Sequence, residues 1–309
     1  MIIDKVEIRK GERKTVKLSV GTLPSGTKIE LQIEVFRSEL DGPCLLVLGG
    51  LHGDETNGVE IVRRALKNRL FDNIKIGSVI AIPLVNVHGF INKQRTLPDG
   101  KDINRSFPGS SRGSLASRVA YKLSKHILPH VNYGIDFHTG GKQLHNHPQI
   151  RVSSLEGECI AFAKAFGAPY IIHSKTITKS LRKECGSYGI EMLVYEGGES
   201  LRLDAHSVQE GYQGLRRALK FLKMNEDELP VTKSLVLKDD SWIRAGKSGI
   251  FVPYKVSGDR VEEGEIIGYI SGPYEGKVLE VKSKSNGVIF GHNNMPVVNI
   301  GEPLFHLGW

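Results

Sequence analysis

Apolar and polar positions along this chain recur with two different periods, and the switches between them predict its elements. Thr15–Val20 and Lys28–Phe36 alternate apolar with polar around the turn Gly21-Thr-Leu-Pro-Ser-Gly26, which predicts an N-terminal β hairpin or sheet edge within residues 1–40. Cys44–Leu48 is instead a continuous apolar run that stops at Gly49-Gly50, the pattern of a buried strand. From Thr56 onward Val59, Val62, Leu66 and Leu70 recur at helical spacing. Ser78–Pro83 predicts a second buried strand, and a long polar loop runs from Asn86 to about Gly113. A helix is predicted over Ser114–Leu128, with Leu115, Val119, Leu123 and Ile127 on one face. Then come strand Tyr133–Phe137, a helix at about Ser153–Phe166, and strands Pro169–Ile172 and Ile190–Tyr195. Helix 206–223 follows, with Val208, Tyr212, Leu215, Leu219 and Leu222 facing the core. Strands alternating with helices indicate an α/β unit with a largely parallel sheet flanked by helices.

After Lys223 the texture changes. Met224–Thr232 is a charged, proline-containing link, and beyond it short Val/Ile-rich segments are separated by Ser-Gly-Asp, Glu-Glu-Gly, Ser-Gly-Pro and Ser-Asn-Gly. Regular turn signals without helical periodicity predict a small all-β domain over residues 231–309, behind an α/β domain over 1–230. No solenoid repeat or low-complexity segment interrupts either part.

Composition narrows the function classes. With 39% hydrophobic and 25% charged residues the chain has the make-up of a soluble globular protein. No apolar run approaches the roughly 20 residues of a membrane helix. The opening Met1-Ile-Ile-Asp-Lys-Val has no basic segment followed by an apolar one, so no signal peptide is expected. Cys44, Cys159 and Cys185 are odd in number and scattered, which fits a reduced, cytoplasmic setting without a disulfide framework. The net charge of +8 is spread without a Lys/Arg block, so it points to small anionic substrates and not to nucleic acid or a membrane. A homo-oligomer is compatible with these features.

Candidate chemistry sits where the strands are predicted to end. His52 and Glu55 lie three residues apart in the turn after Cys44–Leu48, a plausible pair of zinc ligands that also occurs by chance. His138 directly follows Tyr133–Phe137, and Glu196 directly follows Ile190–Tyr195 on a Gly-Gly turn expected to leave room for a substrate. Open α/β sheets bind ligands beyond the carboxyl ends of their strands, so these groups can converge there. His52, Glu55 and His138 would form a His₂Glu set holding one zinc ion per chain, with the fourth position left to water. Zinc lowers the pKa of water from 15.7 to about 7, and Glu196 is the candidate base. The loop Gln94–Gly109 supplies Arg95 and the pair Asn104–Arg105, suited to clamping a carboxylate or stabilising an oxyanion.

The motifs His52-Gly-Asp-Glu55, Asp102-Ile-Asn-Arg105, Asp136-Phe-His138 and Glu196-Gly-Gly, in that order, resemble the succinylglutamate desuccinylase/aspartoacylase family, which is related to zinc carboxypeptidases. The resemblance implies a carboxypeptidase-like mixed sheet, zinc on His52, Glu55 and His138, and hydrolysis of the amide bond of a small N-acylated amino acid or amine. It further implies Glu196 as base and proton shuttle, Arg95 as the carbonyl-polarising arginine, and Asn104 and Arg105 on a substrate carboxylate. A second carboxylate-binding arginine is implied shortly before the base, where Arg182 is the residue at hand. Gly249–Pro253 and Val256–Gly268 resemble half of a biotinyl/lipoyl-type hammerhead without its Met-Lys-Met signature, so the β domain is expected to be a barrel-sandwich-like cover for the site entrance.

Each of these residues has a plainer alternative. His138 could be a satisfied core histidine, Glu196 a turn cap, and Asn104–Arg105 ordinary loop structure. His145 and His147 are expected to line the pocket or lie in a loop, Asp136 to orient a ligand, and Cys44 and Cys185 to be inert buried thiols. The rival functions are a zinc carboxypeptidase trimming a C-terminal residue and a binding protein that keeps the fold without the chemistry. A covered pocket favours small substrates, and an open groove favours peptides.

Overall fold

The computed structural model describes residues 1–309 except 23, 24, 231 and 275. The middle of the turn predicted over residues 21–26, one position of the 224–232 link and one position of the C-terminal segment therefore lie outside the described residues. The flanking strands Arg13–Thr22 and Lys28–Arg37 pair antiparallel, with Leu18 opposite Leu31, and bury Val16, Leu18 and Val20 on one face.

These strands begin a large mixed sheet. Its order continues through Ser78–Ile82, Cys44–Gly49, Tyr133–Gly140, Glu191–Glu199 and Leu144–Val152, then Gly287–Asn293, Pro303–Gly308 and Asp240–Arg244. Ser78–Ile82, Cys44–Gly49, Tyr133–Gly140 and Glu191–Glu199 run parallel. They are covered on both sides, which is why Cys44–Gly49 and Ser78–Ile82 read as nearly unbroken apolar runs. Leu45 and Val47 join a core with Ile61, Phe162 and Leu215 from helices Thr56–Lys67, Gly157–Phe166 and Ala205–Phe221. Leu46 and Leu48 join the opposite core, with Val119 and Leu123 of helix Leu115–His126 and Leu181 of helix Leu181–Ser187. Beyond residue 232 the described regular elements are all strands, and four of their segments form a separate sheet in the order Val278–Lys282, Ile266–Ser271, Gly249–Pro253 and Val297–Val298. Among the described residues no helix is long and apolar enough to cross a membrane.

Four local departures from the sequence reading bear on the site. First, the polar loop after Asn86 holds helix Val87–Asn92, capped by the Asn86 side chain, and a single 3₁₀ turn, Ile103–Arg105. Second, Leu144–Val152 is a strand, although His-Asn-His-Pro carries no apolar alternation. Its pairing with Glu191–Glu199 shifts between Glu196 and Gly198, across His147 and Pro148, where the proline has no N–H to give. Third, Tyr133–Gly140 and Glu191–Glu199 run past His138 and Glu196, so these two residues lie within strands and opposite each other in register. Gly197-Gly198 is thus a bulge and not a terminal turn. Its Gly198 adopts φ +76°, and a Cβ there would lie 2.3 Å from Asn57 Nδ2, so the glycine makes room for Asn57 and not for a substrate. Fourth, helix Thr56–Lys67 turns Gly58, Ile61, Val62 and Ala65 inward, with Val59 and Leu66 only partly buried.

That last rotation follows from close packing. A Cβ on Gly58 would lie 2.4 Å from the Phe137 carbonyl oxygen, and one on Gly49 would lie 2.6 Å from Gly58 itself. Two glycines therefore let the helix sit directly on the strand ends, with Glu55 as its first flanking residue. Gly58→Ala is expected to lower the unfolding free energy by about 1–3 kcal/mol, read from the denaturant midpoint. An unchanged midpoint would show that the helix can step back without loss.

Candidate active site

The strand Cys44–Gly49 ends opposite Phe137, one residue before His138, with Leu48 opposite Asp136, while its partner runs on to Gly140. The chain leaves the first strand through Gly50, at φ +61°, and Gly53, whose Cβ would lie 2.0 Å from the Gly89 backbone. This tight path brings His52 and Glu55 over His138. All three are buried, at 2%, 2% and 4% exposure. Glu55 stands at the N-terminus of its helix without capping it, because its carboxylate is turned to the histidines. Oε1 is 2.7 Å from His52 Nδ1, and Oε2 is 2.8 Å from His138 Nδ1 and accepts the Thr139 N–H at 3.1 Å.

The outer edge of each imidazole is held by another carboxylate. His52 Nε2 lies 3.2 Å from Asp102 Oδ1, and His138 Nε2 lies 2.7 Å from Asp136 Oδ2. These contacts fix the ring orientations, with each Nε2 turned to its outer carboxylate and each Nδ1 turned inward to Glu55. The two Nδ1 atoms are 3.1 Å apart. Two inward imidazole nitrogens and a carboxylate make a donor set that suits a divalent transition metal. Among the described residues this is the one group of three His, Cys, Asp or Glu side chains close enough to hold a metal ion, with ligand atoms within 4.8 Å of one another.

Charge in the cluster is arranged accordingly. Burial opposes ionisation of Glu55, yet the two imidazoles hold its carboxyl well below the usual carboxylate range. Burial opposes the charged form of His138 as well, but Asp136 and Glu55 raise it well above an ordinary histidine. Asp102 is desolvated, and the hydrogen bond from His52, together with the charges of His52 and Arg95 and the N–H of Asn104, still keeps it low. Asp102 therefore links several parts of the site: it touches His52, accepts from the Asn104 N–H at 2.7 Å and pairs with Arg95 at 3.1 Å.

His52, Glu55, Arg95, Asn104, Arg105, His138 and Glu196, far apart in sequence, all line one cavity of about 280 Å³. Arg95 is bound by Glu55 Oε1 at 3.0 Å as well as by Asp102. Asn104 Oδ1 accepts the Leu181 N–H at 2.8 Å, which leaves the Nδ2 end of the amide for a ligand. Glu196 Oε2 accepts from Asn146 Nδ2 at 3.1 Å, and Oε1 is 3.8 Å from Arg151 Nε. Arg182 lines the same cavity. Its Nη2 is anchored by Ser174 and the Lys175 carbonyl, while its buried Nη1 has no hydrogen-bond partner among the described residues. Burial, and Arg151 beside it, push this guanidinium down to about 10.

Asn146, Arg151 and Trp242 also line the cavity, and the sequence reading missed all three because no motif marks them. His145 and His147 depart from expectation: neither lines the cavity, and both lie on the strand Leu144–Val152. His145 meets Ser257 and Asp204 instead, and His147 packs on Tyr170 and His206. Cys44, Cys159 and Cys185 are buried free thiols, with burial pushing Cys44 up to about 12.

Asp136→Asn, which keeps the shape but loses the charge behind His138, is expected to weaken divalent-metal binding about 10- to 100-fold in competition with a chromophoric chelator. Equal affinity in the two proteins would remove Asp136 from that role.

The family described as succinylglutamate desuccinylase/aspartoacylase catalytic domain matches residues 41–222, a span that holds every cavity residue named above except Trp242. The N-alpha-acetyl-L-2,4-diaminobutyric acid deacetylase of Halomonas elongata is 27% identical over 282 residues, covering 85% of this chain and 81% of its own. A succinylglutamate desuccinylase/aspartoacylase structure from Rhodobacter sphaeroides superposes with a TM-score of 0.85 at 26% identity, over 96% of this chain and 95% of the other. The product-bound ectoine utilization protein of Ruegeria pomeroyi shares the fold, with a TM-score of 0.84 at 22% identity over 96% and 94% of the two chains. The chain belongs to the succinylglutamate desuccinylase/aspartoacylase family of amide-bond hydrolases.

Proposed function

We propose that this protein is a zinc-dependent deacylase that cleaves the amide bond of a small, anionic N-acyl amino acid. One zinc ion per chain is held by His52, Glu55 and His138. The observation that carries the reading is the inward-facing His₂Glu set, backed by Asp102 and Asp136, in the same small cavity as Glu196 and four arginines. The names of the relatives, a deacetylase and a desuccinylase, support the reaction class. The bound zinc supplies Lewis acidity and brings the pKa of water from 15.7 towards about 7.

The chain's own groups do the remaining work. Glu196 takes the proton of the water that adds to the amide carbonyl and returns it to the amine nitrogen as the C–N bond breaks. The acyl group thereby gains the hydroxyl and the amine gains the hydrogen. Arg95, held at the edge of the cluster by Glu55 and Asp102, lends positive charge to the carbonyl oxygen as it gains electrons. Asn104 and Arg105 bind the substrate carboxylate, and Arg182, with Nη1 unpartnered, offers a second anion contact. Four guanidinium groups face the cavity against the two carboxylates Glu55 and Glu196, so it suits a substrate with more than one negative charge. Trp242, from the C-terminal strands, forms part of its wall, which supports reading the C-terminal part as a cover that favours small substrates over peptides.

The direct test is hydrolysis of N-acetyl and N-succinyl amino acids by the zinc-loaded protein, with Glu196→Gln beside it. That variant should keep its zinc and lose at least about 100-fold in kcat, whereas near-normal turnover would remove Glu196 as base. Arg105→Ala should raise KM for anionic substrates by about 10- to 100-fold, the worth of a charge-assisted hydrogen bond, and leave neutral amides nearly unaffected. Equal effects on both substrate types would refute the clamp.

A further inference from the structure

Glu196 acts only if one of its oxygens points at the reacting water, and a glutamate has three torsions with which to turn away. The residue that restricts it lies on the strand Leu144–Val152, which the sequence conceals. Asn146 is buried and lines the cavity, and its Nδ2 donates to Glu196 Oε2 at 3.1 Å.

The strand pairing fixes Asn146 on both sides. It lies opposite Gly198, in the bulge that follows Glu196, and opposite Gly291 on the strand Gly287–Asn293. Gly291 also makes room for the amide, because a Cβ there would lie 2.9 Å from Asn146 Oδ1. The orientation of the amide is set by chemistry: an ionised carboxylate accepts only, so the NH₂ end must face Glu196 and the carbonyl end must face the space left by the glycine. The other carboxylate oxygen, Oε1, has Arg151 Nε at 3.8 Å, beyond hydrogen-bond range. One oxygen of Glu196 is thus tied to the sheet, and the other is left for proton transfer.

Resting on the reading of Glu196 as base, we propose that Asn146 is its positioning residue, tethering Oε2 so that Oε1 faces the water and then the departing amine. Asn146 touches neither the substrate nor the metal in this role and works entirely through Glu196. A purely packing role would tolerate an apolar residue of the same volume, whereas a tether needs the N–H donor. Misplacing a reacting group by about 1 Å can cost on the order of 100-fold in rate.

The test is a double-mutant cycle on the zinc-loaded protein, with Asn146→Leu and Glu196→Gln made singly and together. Asn146→Leu should lower kcat by about 10- to 100-fold while KM and zinc content stay at wild-type values. In the Glu196→Gln background the same change should cost little further, because its route of action is already gone. Asn146→Ser, smaller and unable to reach Oε2, is measured in parallel to guard against a folding defect in the leucine variant and should show the same fall in kcat. If Glu196→Gln alone keeps full turnover, the base assignment itself fails. If Glu196→Gln is inactive but Asn146→Leu or Asn146→Ser retains kcat, or if the losses multiply in the double variant, the tether is overturned and the base assignment stands.

Discussion

Placing a carboxylate in a protein interior costs several kcal/mol unless positive charge meets it there, and Glu55, at 2% exposure, puts that demand at the centre of this molecule. The surrounding structure answers it. Two imidazoles face its oxygens, each imidazole is backed by a further carboxylate, and Arg95 closes the ring through Asp102. Such a network is stable only if nearly every member is satisfied. The backbone around it is correspondingly tight, with Gly49, Gly50, Gly53 and Gly58 at positions where a side chain would collide or strain the turn. Asn57 extends the same frame: its amide donates to the Gly197 carbonyl and accepts the Asp204 N–H, which ties the helix after Glu55 to the bulge after Glu196.

The cavity beside this cluster is shaped by residues from strands that follow the parallel core in the sheet. Leu144–Val152 runs antiparallel to Glu191–Glu199 and supplies Asn146 and Arg151. Asp240–Arg244 supplies Trp242, whose ring stacks on His306 at 3.9 Å between centroids. His306 Nε2 is 2.7 Å from Asp240 Oδ1, so the aromatic wall is itself braced by a polar contact. Because Gly287–Asn293 pairs with Leu144–Val152, the C-terminal strands continue the sheet that carries the metal-ligand candidates. Arg151 stands close enough to Arg182 to disfavour its charge, an arrangement that a bound anion would relieve.

Much of this was legible in the residues. The apolar runs at Cys44–Leu48 and Ser78–Pro83 and the short segment Tyr133–Phe137 pointed to strands, and the structure places Cys44–Gly49 between Ser78–Ile82 and Tyr133–Gly140, parallel to both. Expecting ligands beyond carboxyl strand ends then sufficed to group His52, Glu55, His138 and Glu196, all of which line one cavity. The same periodicity argument failed at Leu144–Val152, because its strand character comes from pairing on both sides and not from an alternating pattern. It also erred by a fraction of a turn on helix Thr56–Lys67: an apolar count favours Val59 and Leu66, whereas close contact favours Gly58 and Ala65.

By itself, then, the sequence determined most of the order of strands and helices, the polar residues that follow the apolar segments and the types of ligand they could offer. These are local properties, written in periodicity and in residue chemistry. Only the tertiary structure decided which nitrogen of each histidine turns inward, that Asp102 stands behind His52, and that Asn146 and Arg151 flank Glu196. Those outcomes depend on strand register and on the depth to which glycines let elements approach, where a shift of one residue turns a side chain to the opposite face.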